Sequence, residues 1–169
     1  MALIGGPEAA IEALGRVIHQ YLYTYLEAEW TAAGDVATCP KPYPSSWSSS
    51  GVHVTTYDVP QPEYPVVWIT GMGGQIGADA APVWGDYTHN LNVQSRMNGD
   101  DKIVLSQQAL RFTWAIVRCI QHRQPELKST IAGGIAFVPQ RYSLFPDNGS
   151  GNVEMVSNVI VAVVVEESF

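Results

Sequence analysis

Charge is what this 169-residue chain has least of: Asp, Glu, Lys and Arg together supply 15% of it, against roughly 25% in an ordinary soluble domain. Its surface is therefore covered by Ser, Thr, Asn, Gln, Gly and Pro, a composition suited to loops and contacts. Positive charge is the scarcer kind, with 9 Lys and Arg against 16 Asp and Glu. The net charge of −7 argues against a protein that grips nucleic acid, because neutralising phosphates takes clustered Lys and Arg. It leaves room for DNA to pass nearby without being held. Only Arg111, Arg118 and Arg123 fall together, on one predicted helix, where they read as a solvated face.

Cysteine is nearly absent. Cys39 and Cys119 are too few for a disulfide framework. Cys39 lies beside a proline in a loop, and Cys119 lies inside an amphipathic helix as a buried free thiol; a reducing compartment is expected. The first six residues hold neither a basic stretch nor an apolar core, so no signal peptide is expected. The longest apolar run, 159–165, is far short of the roughly 20 residues that span a bilayer. Asn148-Gly149-Ser150 matches a glycosylation sequon and reads as a turn.

Catalytic signatures are missing too. His19, His53, His89 and His122 are dispersed, and neither cysteine has a partner at zinc-ligand spacing. No Gly-x-Ser-x-Gly elbow occurs. The run Gly71-Met72-Gly73-Gly74-Gln75-Ile76-Gly77 invites a phosphate-loop reading. Yet neither an amphipathic helix nor a Lys-Ser or Lys-Thr follows it, and Pro82 intervenes. Acids adjoin only at Asp100-Asp101, a helix start, and Glu166-Glu167, a solvated strand end. No catalytic, cofactor-binding or metal-ligating residue is assigned, and no enzyme is expected.

Apolar periodicity is what the chain does have. Its length fits one domain, 1–169, and 46% hydrophobic residues suffice for a sizeable interior. Pro7 and Glu8 open a helix well, and Ile11, Leu14, Ile18, Leu22, Leu26 and Trp30 recur at helical spacing until Gly34. Prolines and serines make 33–51 a loop. Residues 52–59 alternate as a strand, and 64–70 form a short apolar one. The stretch 71–85, rich in Gly and Ala, reads as a second loop. From Tyr87 the alternation is strict, with His89, Leu91, Val93 and Met97 on one face. A helix follows from Asp101 to Gln124, its stripe of Leu105, Ala109, Phe112, Ile116 and Ile120 widened by Leu110, Trp114 and Val117. That breadth suggests contact on more than one side. Residues 131–138 read as a strand with a bulge at Gly133-Gly134, 139–151 as a loop or hairpin arm, and 152–167 as the longest strand.

The expected fold is α+β: a mixed, mostly antiparallel sheet of about five strands packed by two long helices, in the order α-β-β-β-α-β-β. Trp68, Leu91, Phe112, Ile116, Val161 and Val163 are the expected core. The three long loops, 33–51, 71–85 and 139–151, hold Tyr43, Trp47, Trp84, Tyr142 and Phe145. Tyr and Trp are enriched where surfaces are buried against partners, so these five are the candidate interface.

This order resembles that of the tail terminator (tail-completion) proteins of long-tailed bacteriophages. The likeness lies in the leading helix 11–30, the short strand Tyr64-Pro65-Val66-Val67-Trp68-Ile69, the strand 87–97 running into the helix 109–118, and the Val-rich last strand ending in acids. The resemblance implies a virion structural protein of the phage neck and tail, a ring-forming homo-oligomer (a hexamer) that caps the completed tail tube. Its partners would be the tail tube protein and the head–tail connector or neck proteins, with DNA passing through the lumen unrecognised and no membrane involved. It also implies a place in the virion, after assembly in the bacterial host cytoplasm. Head-completion and head–tail adaptor proteins share this size, acidity and element order and remain an alternative, as does a small-molecule-binding or enzymatic α+β domain.

Overall fold

A computed structural model describes residues 7–40, 65–76, 84–129, 134–147 and 153–168. Among them the fold is α+β: three helices and four strands in the order α1 (Pro7–Ala32), β1 (Val66–Ile76), β2 (Trp84–Gly99), α2 (Lys102–His122), α3 (Gln124–Lys128), β3 (Gly134–Asp147) and β4 (Val153–Ser168). Every strand pairing is antiparallel, and the sheet order is β1-β2-β4-β3. The centre is the β2–β4 ladder, in unbroken register from Trp84↔Ser168 to Gly99↔Val153.

That register gives the sheet two unlike faces. On one, Leu91↔Val161, Val93↔Val159 and Met97↔Met155 present apolar side chains to the helices. There they join Val67, Ile69 and Phe137 with the buried stripes of α1 and α2 in one apolar cluster. α1 reaches the sheet at β1, whereas α2 lies over β2, β4 and β3. α2 is tied to α1 by Arg118–Glu29 at 2.7 Å and to the turn after α1 by Arg111–Asp35 at 3.1 Å. The Arg123 guanidinium, just past α2, lies 4.1 Å from the Tyr21 ring centre of α1. On the opposite face Val66, Trp68, Val156 and Ala162 are also buried, outside that cluster. Trp68 was expected in the core and is buried, but its strand parity sets it on the face away from the helices.

Several expected boundaries move. The predicted loop 71–85 is strand at both ends, because β1 continues to Ile76 and β2 begins at Trp84; residues 77–83 lie outside the described set. Its glycines answer to the ladder. The register shifts between Gly71 and Gly74, Gly73 has φ of 89°, and a Cβ on Gly74 would collide with the Thr88 carbonyl oxygen. The predicted arm 139–151 is strand through Asp147, paired along β4 despite Pro139 and Pro146. Edge position explains the tolerance, since among the described residues β3 has a neighbour on one side only. The bulge expected at Gly133-Gly134 falls one step later, between Gly134 and Ala136. Within 33–51, Val36–Thr38 forms a 3-10 turn. The described sheet has four strands where about five were expected, and the strand 52–59 lies outside the described residues.

Candidate assembly surface

Polar chemistry on the sheet face away from the helices is a hydrogen-bonded row. Asn92 Nδ2 and Gln94 Nε2 both donate to Asn158 Oδ1, at 3.1 and 3.0 Å. Arg96 Nε donates to Gln94 Oε1 at 3.3 Å. The Arg96 guanidinium stacks 5.0 Å from the Trp68 ring centre and lies 3.9 Å from both Asp147 and Glu154. Above the row a groove of about 310 Å³ crosses the sheet, with Met72, Asn92, Arg141, Asn158 and Ile160 among its walls. Its two amides, Asn92 and Asn158, hydrogen-bond without offering a nucleophile or a base.

Three of the cations are paired with acids of the same chain. Arg111, Arg118 and Arg123, the three cations grouped by sequence, face Asp35, Glu29 and Glu126 respectively. The Arg118–Glu29 pair is close but off the line a hydrogen bond needs. Glu126, hydrogen-bonded by Arg123 at 2.8 Å, has its carboxyl held below the usual range. Burial pushes the Cys119 thiol up to about 12, so it stays protonated at neutral pH. Burial also lowers the His19 imidazole below its ordinary value. Among the described residues no group of His, Cys, Asp and Glu converges to hold a metal ion, and no helix is long and apolar enough to cross a membrane.

Exposed apolar side chains are less evenly spread. Of the nine large hydrophobics that are well exposed among the described residues, seven lie on α2 and β3: Ile103, Val104, Leu110, Trp114, Val138, Tyr142 and Phe145. Only Val36 and Met72 lie elsewhere. The Trp114 and Tyr142 rings meet at 5.9 Å, linking helix to edge strand. Helical spacing aligns Ile103, Leu110 and Trp114 with the exposed Gln107, Arg118 and Gln121 on one outward face of α2.

Of the five interface candidates, Tyr142 is 48% and Phe145 43% exposed. They do not share a face: Tyr142 opposes Val159 on the helix side, Phe145 opposes Val156 on the other. Trp84 opens β2 opposite Ser168. Tyr43 and Trp47 lie outside the described residues. On α2, Leu110 and Trp114 were read from the sequence as widening the apolar stripe toward a second contact, whereas Ile103 was not named. The signal for Leu110 and Trp114 was that excess width, since one sheet face cannot cover so broad an arc.

No protein family model and no curated protein matches this sequence. Among solved structures, a chain of the virion of a native gene transfer agent particle is similar to it with a TM-score of 0.42 and 10% identity, over 86% of this chain and 92% of that one.

Proposed function

We propose that this chain is a structural subunit of a phage-like virion neck, of the tail-terminator type: a ring, as a hexamer, that caps the completed tail tube and offers the head its docking surface. It acts by assembling, and no catalytic step is assigned to it. The observation that carries this reading is the crowding of exposed apolar side chains onto α2 and β3. Exposed apolar side chains gathered on two elements of a chain with few charges mark surface that other proteins cover. Tyr142 and Phe145, on opposite faces of one edge strand, suit a subunit that touches neighbours on two sides; Tyr43, Trp47 and Trp84 are proposed to add to those contacts. DNA would pass through the lumen unrecognised. The net charge of −7 and the pairing of Arg111, Arg118 and Arg123 with acids leave little to grip phosphate.

Electron microscopy of the purified protein, alone and mixed with tail tubes, tests this. Rings in isolation, or caps on tube ends, are expected. Tyr142→Ser with Phe145→Ser should keep the circular-dichroism spectrum and lose the rings or caps. Wild-type protein that stays monomeric and leaves tube ends bare would end the reading.

A further inference from the structure

Among the described residues β3 is an edge strand, yet its backbone is poorly suited to accept another strand. Opposed residues of an antiparallel ladder alternate between pairs that exchange hydrogen bonds and pairs whose backbone groups turn away from each other. Phe137 fixes which is which. Its amide donates to Gln124 Oε1 at 3.2 Å, and its carbonyl accepts from Gln124 Nε2 at 2.7 Å, so the Phe137 backbone points away from β4. Val163, Val161, Val159, Ser157 and Met155 share one parity on β4, and they oppose Phe137, Pro139, Tyr142, Leu144 and Pro146. These five therefore turn their backbone groups to the open side.

Three of the five have no N–H to offer a partner. Pro139 and Pro146 lack one, and that of Phe137 is taken by Gln124. The Gln124 amide does at one residue what a neighbouring strand does along its length, and its Nε2 also serves the Ile120 carbonyl at the end of α2, at 2.8 Å. Between Pro139 and Arg141 the register shifts, and Arg141 sets an exposed charge beside that break. Edge prolines, bulges and charges are the devices by which sheets avoid pairing with other chains. We infer that β3 is a guarded edge, closed to strand addition by Gln124, Pro139, the bulge and Pro146. Any neighbour that covers Tyr142 and Phe145 packs on their side chains and adds no strand. The guard lets β3 hold Val138, Tyr142 and Phe145 exposed without copies fusing edge to edge. It is a property of the strand itself and stands whether or not copies form a ring.

Amide exchange followed by NMR tests the cap. The Phe137 amide should be protected although it lies on the open side, and the Tyr142 and Leu144 amides should exchange quickly. Gln124→Ala should release Phe137 and leave Tyr142 fast; equal Phe137 protection in both chains would remove Gln124 from the guard. Sedimentation velocity tests the closure. Tyr142→Ser with Phe145→Ser takes away side-chain contacts, and in that parent Gln124→Ala, Pro139→Val and Pro146→Val restore an open row of N–H groups. The opened chain should form larger species than its parent at the same concentration, with new amide protection at positions 142 and 144. Pro146 is exposed, so Gln124→Ala with Pro146→Val alone serves if the full set unfolds, and should shift association the same way to a smaller extent. An opened chain that folds and sediments like its parent would overturn the guard. So would micrographs of rings or tube caps with a neighbour's strand paired to Tyr142 and Leu144. A wild-type chain that never assembles would end the ring reading, and the exchange and sedimentation results would still decide the guard.

Discussion

Thr113 and Ser157 make the most exacting polar contact in the interior. Their hydroxyl oxygens are 2.6 Å apart and buried between α2 and the sheet, and the Thr113 hydroxyl also reaches the Ala109 carbonyl at 2.7 Å. Ser95, opposite Ser157 in the ladder, is small and buried too. Thr113→Val keeps the shape and removes the partner, leaving the Ser157 hydroxyl buried and unbonded. The expected loss is about 1–3 kcal/mol in urea unfolding. Adding Ser157→Ala should recover part of it, because no polar group is then stranded; a double variant worse than the sum of the singles would contradict the pairing. His19 gives a second residue-scale expectation. Burial lowers its folded pKa below 6.5, so the unfolded chain takes up the proton first as pH falls. Its contribution is therefore whole above about pH 6.5 and lost below that, as the pH approaches the folded value. Urea midpoints measured between about pH 5 and 8 should fall on the acid side, and His19→Gln should flatten that part of the profile.

Elements obey the same local rules, and α2 shows it at its first turn. Asp101 Oδ1 accepts from the amides of Ile103 at 2.8 Å and Val104 at 3.2 Å, an N-cap that the Asp100-Asp101 pair signals in the sequence. Asp101→Ala should cost about 1 kcal/mol, and Asp101→Asn should retain most of the stability; equal melting temperatures for wild type and the Ala variant would show the cap to be idle. Periodic elements such as α1, α2, β2 and β4 are legible because a buried face forces apolar residues to recur. The glycine run of β1 and the proline-bearing β3 are not. An edge strand needs no side-chain alternation on its open side, and its bulges break what alternation there is. The restart of helix as α3 is equally local. Pro125 stands in its first turn, and Gln124 bonds both the carbonyl and the amide of Phe137, at 2.7 and 3.2 Å, fastening the helix end to β3. The interface aromatics were read from loop position, and β3 shows the weakness of that ground. Tyr142 and Phe145 are exposed because they flank an edge, which residue type alone does not encode.

At the scale of the whole molecule, the apolar cluster draws on α1, α2, α3 and all four strands, so no element keeps its apolar face if another leaves. Sequence neighbours are also separated: β4, last in the chain, inserts between β2 and β3. The sheet is complete only when the final strand has threaded into its middle. Partial unfolding from either end would expose the β2–β4 ladder, whose Leu91, Val93, Val159 and Val161 are buried. We therefore expect the chain to behave as one domain that unfolds in a single step. Helix content by circular dichroism and tryptophan fluorescence should give superimposable urea curves, at protein concentrations low enough to keep subunits apart. Amide exchange should rank the same structure from inside out. β2, β4 and the buried face of α2 should be slowest, exchanging only through global opening, and the Gly71–Gly74 stretch of the β1 edge fastest. A helix signal lost well before the fluorescence transition, or β4 amides exchanging faster than those of the β3 edge, would show that α1 or the last strand folds as a separate unit and that the cluster is not shared.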